Sequence, residues 1–322
     1  MKKYEILGIG APFLDHVVKV SHEFLASLSG AKGGMEIVDY ATFVKILHNT
    51  QAVATLIAGG SSANTIKGLA NLGHSCALVG KIGQDRAGDT FLKSIQELGI
   101  LSHFIPISTP TGQLACLVTP DGERTFRDYL GAGQEMQKED LDPAHFHGVR
   151  HVHIEGYTLL NVGLARRAME LAKQAKATVS FDLANFEIVR NFKAEIADLM
   201  REHIDILFAN RDEVLALCQQ SAEEACDSLR QFCKVVVVSM GVEGCWLGNA
   251  KERMHCPAFP VKPLDTTGAG DLFAAGFLHG YLTGKPLTEC AKFGALISRE
   301  VVQVLGAEIP RETWHQLKKI LR

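Results

Sequence analysis

The sequence predicts an α/β fold with a mainly parallel central sheet covered by helices on both faces. Short runs of β-branched and other apolar residues alternate with helical patterns along most of the 322 residues, and repeated strand, helix, strand units give parallel sheets. The four valines at 235–238 are typical of a strand buried on both faces. With 47% hydrophobic and 21% charged residues, the chain can form one large domain with a small appendage.

The predicted strands and helices follow one another in a regular order. Strands are expected at 4–9, 52–57, 76–82, 151–155, 178–182, 204–209 and 234–239. Helical patterns lie between them, for example at 65–72, 89–98, 162–173 and 223–232. Because no internal repeat or Pro/Ser-rich linker divides the sequence, we expect residues 1–322 to form a single domain.

Two segments interrupt the alternation. Residues 13–20 have the pattern of a strand where a helix is expected, and residues 111–129 that of a hairpin with its turn at 120–122. We expect a small β-rich lid that is discontinuous in sequence, built from about 11–40 and 110–130. A decorative edge hairpin is an equally compatible interpretation.

Charge and composition argue against several classes of protein. The formal net charge is −3 and no long basic run is present, so nucleic acid is not an expected partner. The first residues do not resemble a signal peptide and no stretch is long enough to cross a bilayer, which predicts a cytoplasmic protein without a membrane partner. The eight cysteines are scattered without a CxxC motif, and this predicts buried thiols rather than a metal site or a disulfide framework.

The strongest functional signal is the run DTTGAGD at 265–271, which begins a long apolar helix pattern. The small residues Gly268, Ala269 and Gly270 allow consecutive backbone N–H groups to converge at a helix N-terminus, where bound anionic charge is favoured. A carboxylate beside a phosphate is repulsive unless it accepts a proton, so Asp271 suggests phosphoryl transfer. Taken alone, the run is about equally compatible with an ordinary Gly-rich turn.

Two other phosphate-binding motifs are incomplete. Gly8 and Gly10 follow the first strand, but Phe13 stands where a dinucleotide-binding fingerprint has its third glycine. A P-loop is also missing, because Ile82 follows Lys81 where Ser or Thr is required. A Rossmann dehydrogenase is therefore a weak alternative, and any use of ATP would proceed without a P-loop.

A second glycine-rich patch, AGGSSAN at 58–64, follows a predicted strand and begins a helix. Gly59 and Gly60 permit close approach of the backbone to a ligand, and Asn64 could place its amide on hydroxyl groups. We expect the patch at the carboxyl end of a parallel strand, where open α/β sheets bind ligands. A tight turn with serine caps is about as compatible.

A third element, Asn210-Arg211-Asp212-Glu213, lies between a predicted strand and a helix. Asn210 is well placed as an N-cap with Glu213 as its capping-box partner, and this local role is the favoured one. The same amide and carboxylate could also order water molecules around Mg²⁺. Position alone does not decide between the two roles.

Together, GGSSANT, the stretch 80–88, the NxxE tetrad and DTTGAGD resemble in order and approximate spacing the ribokinase-like, or PfkB, family of carbohydrate and nucleoside kinases. The resemblance covers nearly the whole chain and implies a three-layer α/β/α fold with a small β-rich lid, and ATP and Mg²⁺ as cofactors. The implied roles are Asp271 as catalytic base, Gly268, Ala269 and Gly270 as anion hole, Asn210 and Glu213 as the Mg²⁺ and phosphate-positioning motif, and Gly59, Gly60 and Asn64 as substrate ligands.

The resemblance implies further contacts around the nucleotide and the metals. The loop 239–244 resembles the nucleotide-contacting loop through Ser239, Gly241 and Gly244, although Met240 departs from the usual small or basic residue. Thr266 is likewise expected near the nucleotide, and Glu213 is expected to hold Mg²⁺ through water. Relatives have a monovalent cation site near the positions of Asp265 and Thr267, which would allow activation by K⁺.

The N-terminal segment resembles the adenosine-kinase-like members of the family. In the run GAPFLD at 10–15, Asp15 matches the carboxylate that holds the ribose hydroxyls, and 32–39, 123–125 and 129–132 are softer matches. A carboxylate that binds vicinal hydroxyls suits any ribosyl or furanose substrate. The alternative for Asp15 is a charge on an edge strand.

The resemblance implies ATP-dependent phosphorylation of the 5′-hydroxyl of a nucleoside, adenosine or a related purine nucleoside, as in purine salvage. The first alternative is a PfkB kinase of a free sugar such as ribose or fructose, and the second is a catalytically idle binding relative. Stacking aromatic side chains would separate the first two, and Phe13, Phe126 and Tyr157 are the candidates. A monomer and a homodimer are both compatible with the sequence.

Overall fold

The computed structural model describes residues 4–321, in which strands and helices alternate as expected. The strands are β1 (Ile6–Ile9), β2 (Phe13–Lys19), β3 (Met35–Ile37), β4 (Thr55–Gly59), β5 (Cys76–Gly83), β6 (Leu101–Ile107), β7 (Gly112–Val118), β8 (Arg124–Tyr129), β9 (His151–Glu155), β10 (Thr178–Asp182), β11 (Ile206–Asn210), β12 (Val235–Ser239), β13 (Cys245–Gly248) and β14 (Arg253–Cys256). The α-helices are α1 (His22–Ala26), α2 (Tyr40–Thr50), α3 (Ser61–Leu72), α4 (Arg86–Glu97), α5 (Leu164–Gln174), α6 (Phe186–Glu202), α7 (Arg211–Cys218), α8 (Ala222–Leu229), α9 (Ala269–Leu282), α10 (Leu287–Val301) and α11 (Arg311–Ile320).

The main sheet has nine strands among the described residues, in the order β14-β13-β12-β11-β10-β9-β1-β5-β6. All ladders from β12 to β6 are parallel, and β13 and β14 join by antiparallel pairing. Val236 and Val238 pack into the core on one face, whereas Val235 and Val237 pack into the core on the other. This confirms the predicted fold and the burial of β12 on both faces.

A second sheet has the order β3-β8-β7-β2-β4. It contains the strand predicted at 13–20 and the hairpin predicted at 111–129, whose turn is closed by a hydrogen bond from the Gly122 N–H to the Thr119 carbonyl at 2.8 Å. Its outer face packs against α1 and α2 through a small apolar core that includes Val18, Phe43 and Leu117. The inner face of the second sheet is directed toward the main sheet.

The segment predicted as a main-sheet strand at 52–57 is placed differently. It forms β4, which pairs antiparallel with β2 at the edge of the second sheet. Both sides of β1 are taken by β5 and β9, and β4 pairs with β2 instead. The placement of the 58–64 patch after a parallel strand was therefore wrong. Asp15 is not on an edge strand either, because β2 lies between β7 and β4.

None of the helices in residues 4–321 has both the length and the apolar composition needed to span a bilayer.

Candidate active site

A cavity of about 880 Å³ separates the inner face of the second sheet from the carboxyl ends of the main-sheet strands. Its lining brings together most of the predicted site residues. The predicted residues that line it are Asp15, Gly60, Asn64, Asn210, Glu213, Ser239, Thr266, Thr267, Gly268, Ala269, Gly270 and Asp271. These residues come from both ends of the chain, and the fold places them around a single space.

Asp271, in the first turn of α9, is held by three residues at the start of α3. The Ser61 hydroxyl donates to Oδ1 at 2.8 Å, and the Asn64 amide donates to Oδ2 at 2.9 Å. The Thr65 hydroxyl donates to the main-chain oxygen of Asp271 at 3.0 Å. Burial raises the pKa of Asp271 to about 6, although the hydrogen bonds from Asn64 and Ser61 lower it. The carboxylate is thus oriented and able to accept a proton near neutral pH.

The N-terminus of α9 has the geometry of an anion site. Gly268 is its N-cap at φ +72°, where a Cβ would come within 2.6 Å of the Ala307 Cβ. The N–H of Ala269 donates to the Thr266 carbonyl at 3.2 Å, whereas those of Gly268 and Gly270 have no acceptor within residues 4–321. A Cβ on Gly270 would meet open space. Two of the three predicted N–H groups are therefore free for a phosphate, together with the helix dipole.

Asp15 lies on the inner face of the second sheet next to the glycine patch. A Cβ on Gly59 would come within 2.8 Å of its Oδ2, and a Cβ on Gly60 would come within 2.4 Å of the Ala11 carbonyl oxygen. Gly60 also has φ +105°. Burial, and then the charge of Asp128, raise the pKa of Asp15 to about 7. Gly59 is thus required for the backbone to pass the carboxylate, and Gly60 is required by its positive φ and by the nearby Ala11 carbonyl.

Asn210 and Glu213 form the predicted capping box. The Glu213 N–H donates to the Asn210 side-chain oxygen at 2.9 Å, and the Asn210 N–H donates back to the Glu213 carboxylate at 2.8 Å. Burial, and then Asp182, raise the pKa of Glu213 to about 8, while burial and then Asp271 raise the pKa of Asp182 to about 7. Both oxygens of the Glu213 carboxylate already accept hydrogen bonds from Asn210, so Glu213 and Asp182, which both line the cavity, would hold a divalent cation through water.

The predicted nucleotide loop is only partly at the cavity. Ser239 lines it at the end of β12, but Gly241 and Gly244 are not among the lining residues. Gly244 has a structural role instead, because at φ +90° its Cβ would lie 2.1 Å from the Cys256 carbonyl oxygen. Thr266 lines the cavity beside the start of α9.

Asp265, one of the two residues predicted near K⁺, is buried and already has several donors. Its carboxylate accepts the N–H of Thr267 at 2.8 Å and that of Gly306 at 2.6 Å, and it forms an ion pair with Arg124 of β8. Arg124 also donates to the Leu264 carbonyl. Because a guanidinium already neutralises this carboxylate, the arrangement fits a K⁺ ion at Asp265 poorly.

Two carboxylates that end main-sheet strands at the cavity, Glu155 and Asp182, were not identified from the sequence. Glu155 accepts the N–H of Ala11 at 2.8 Å and that of Ser62 at 2.9 Å, and a Cβ on Gly10 would come within 2.3 Å of it. Burial raises the pKa of Glu155 to about 7. Asp182 is the second. Each is the last residue of a predicted parallel strand, and that position was the available signal.

Sequence comparisons find related proteins along most of the chain. The family model described as pfkB family carbohydrate kinase matches residues 34–314. A protein of Archaeoglobus fulgidus named an uncharacterized sugar kinase is 28% identical over 253 residues, which cover 76% of this chain and 98% of that protein.

Solved structures with a similar fold cover almost all of the chain. The adenosine kinase from Sinorhizobium meliloti is 32% identical with a TM-score of 0.88, over 98% of this chain and 99% of that one. A probable sugar kinase protein from Rhizobium etli is also 32% identical with a TM-score of 0.88, over 100% of both chains.

Proposed function

The chain belongs to the pfkB family of carbohydrate kinases, and we propose that it transfers the γ-phosphoryl group of ATP to the 5′-hydroxyl of a nucleoside, adenosine or a related purine nucleoside. Family membership makes it a kinase that acts on nucleosides or sugars. The choice of a purine nucleoside rests on one observation. Phe13, Phe126 and Tyr157, the candidate stacking residues, all line the cavity. A purine needs an aromatic or apolar face of this kind, whereas a free sugar does not.

In the proposed mechanism, Asp271 takes the proton of the acceptor hydroxyl as the hydroxyl oxygen attacks the γ-phosphorus in line, and the bond from the γ-phosphorus to the bridging oxygen breaks to release ADP. The N–H groups of Gly268 and Gly270 donate to the phosphoryl oxygens as their charge grows. Mg²⁺, held through water by Glu213 and Asp182, would supply further positive charge there. Asp15 orients the acceptor through its ribose hydroxyls, so the 5′-oxygen meets Asp271.

We further propose that the second sheet acts as the lid of a single kinase domain. Its inner face supplies Phe13, Asp15 and Phe126 to the cavity, so its closure would exclude water from the reacting groups. Because water is excluded, transfer of the phosphoryl group to water instead of to an acceptor is limited. We place the protein in the cytoplasm, in purine salvage, as a monomer or a homodimer.

The proposal is tested by a coupled ADP-release screen with adenosine, inosine, guanosine, cytidine, ribose and fructose. We expect the highest kcat/KM with a purine nucleoside and a 5′-monophosphate as product, identified by mass spectrometry. The highest kcat/KM with a free sugar would support the sugar-kinase alternative, which the similarity to a probable sugar kinase also favours. If none of the six compounds causes ADP release, both the nucleoside-kinase and the sugar-kinase hypotheses are contradicted.

A further inference from the structure

The inner face of the second sheet carries a row of five side chains, one from each strand. The strand register aligns Ile37, Asp128, Leu114, Asp15 and Ile57 across β3, β8, β7, β2 and β4. Residues directly opposite one another in a sheet point to the same face. Asp15 and Asp128 therefore flank Leu114 on the face that lines the cavity.

Asp128 is the member of this row that has no role so far. Its side chain is 7% exposed, and its Oδ1 has no hydrogen-bond partner within residues 4–321. The neighbouring Arg127 belongs to the opposite face, where it donates to the carbonyls of Ser29 and Phe126 and pairs with Glu36. A buried carboxylate oxygen without a donor is costly, which points to a partner that the protein itself does not supply.

The topology places Asp128 away from the reacting groups. Neighbouring strands are about 4.8 Å apart, so the backbone of Asp128 lies about 10 Å from that of Asp15, on the side opposite β4. Strand β4 leads directly into α3, which holds Asp271. Along β8, Arg124 pairs with Asp265, and Asp128 follows four residues later, about 13 Å further along the strand.

A nucleoside that binds with its 5′-oxygen at Asp271 and its ribose hydroxyls at Asp15 would extend its base toward Asp128. Apolar and aromatic side chains surround this end of the cavity, including Leu114, Phe126 and Leu130. Such walls contact the faces of a base but cannot distinguish the groups on its edge. Burial raises the pKa of Asp128 to about 7, so at neutral pH the group is poised to become ionised when a donor approaches.

We propose that Asp128 determines base specificity by accepting a hydrogen bond from the exocyclic amino group of the nucleoside base. The inference rests on the proposed function and assigns the class of substrate, which is an amino-bearing nucleoside such as adenosine or cytidine. Inosine and uridine present a carbonyl oxygen at the corresponding position, and the ionised form of Asp128 disfavours it because two acceptors then face each other.

The test compares adenosine with purine riboside, which lacks only the amino group. With saturating MgATP, we expect kcat/KM of the wild-type protein to be at least about tenfold higher for adenosine, as for a hydrogen bond to a charged group. In Asp128→Ala the ratio of the two kcat/KM values should fall to within about threefold of unity. Glu23→Ala, an exposed lid carboxylate on α1, should keep the wild-type ratio.

Two kinds of result would count against the proposal in different ways. If the wild-type protein phosphorylates both nucleosides equally well, or if Asp128→Ala keeps the preference, the role of Asp128 is refuted while the kinase assignment stands. If only free sugars are phosphorylated, the proposed function itself fails. Should Asp128→Ala not fold, as judged by circular dichroism, the nearly isosteric Asp128→Asn must lower the ratio at least about threefold, and an unchanged ratio refutes the inference.

Discussion

The two ends of the cavity are built in different ways. The proposed phosphoryl-transfer end consists of short continuous segments, 61–65, 210–213 and 265–271, in which backbone N–H groups and helix caps form much of the site. The proposed acceptor end consists of single side chains from separate strands, with Asp15, Leu114 and Asp128 in one row across the second sheet. We infer that the chemistry is fixed by backbone geometry, whereas the choice of acceptor depends on side chains that can change one at a time.

The largest effect is expected at the transfer end. Replacing Asp271 by Asn keeps the size of the side chain but removes the proton acceptor, so kcat should fall about a hundredfold or more with a smaller change in KM for the acceptor. Asp89→Asn provides a matched control, because Asp89 is an exposed first-turn carboxylate of α4. Near-normal turnover of Asp271→Asn in steady-state kinetics would exclude Asp271 as the base.

At the acceptor end, Asp15→Asn should act on binding rather than on chemistry. Loss of the charged acceptor for the ribose hydroxyls should raise KM for the nucleoside by about ten- to a hundredfold, with kcat less affected. Kinetics of the exposed lid variant Glu23→Gln give the baseline. An Asp15→Asn enzyme with unchanged KM would mean that the inner face of the lid does not bind the acceptor.

A smaller effect is expected from Glu213→Gln, which preserves the size of the capping box but removes a carboxylate from the predicted Mg²⁺ site. We expect about a tenfold rise in the Mg²⁺ concentration that gives half-maximal activity. Glu224 occupies the equivalent capping-box position in α8 and is exposed, so Glu224→Gln separates helix capping from metal binding. Equal Mg²⁺ dependence in the two variants would contradict a metal role for Glu213.

The carboxylates at the cavity also predict how stability depends on pH. The raised pKa values, about 7 for Asp15, Asp128, Glu155 and Asp182 and about 8 for Glu213, mean that the folded protein binds more protons than the unfolded chain from about pH 4 to about pH 8, and that it loses them as pH rises through 7 and 8. The free energy of unfolding must then fall as pH rises. We expect Tm of the ligand-free protein to drop by about 3 °C from pH 7 to pH 8.5, and by less in Asp128→Asn. A higher Tm at pH 8.5 than at pH 7 would contradict the raised pKa values of these carboxylates.

The smallest effect concerns the monovalent cation. Because Arg124 already neutralises Asp265, we expect exchange of K⁺ for Na⁺ to change kcat by less than about twofold. Rates are compared at constant ionic strength with a chloride counterion. Strong activation by K⁺ alone would mean that Arg124 leaves this carboxylate during turnover.

These differences explain which parts of the molecule could be predicted. The run 265–271 and the Asn210–Glu213 capping box depend on local geometry, so their residues could be named from the sequence. The pairing of β4 with β2 could not be predicted, because strands that are far apart in the sequence compete as pairing partners. The same holds for Arg124, whose partner Asp265 is 141 residues away, and for Asp128, whose neighbours depend on strand register.

The central claim is that this kinase accepts a nucleoside, and direct competition tests it. The protein is incubated with MgATP and equal concentrations of adenosine and ribose, and the two monophosphates are quantified by mass spectrometry early in the reaction. Their ratio gives the ratio of kcat/KM values without separate assays. We predict that adenosine monophosphate exceeds ribose phosphate by at least about tenfold. Equal amounts, or an excess of ribose phosphate, would contradict the account.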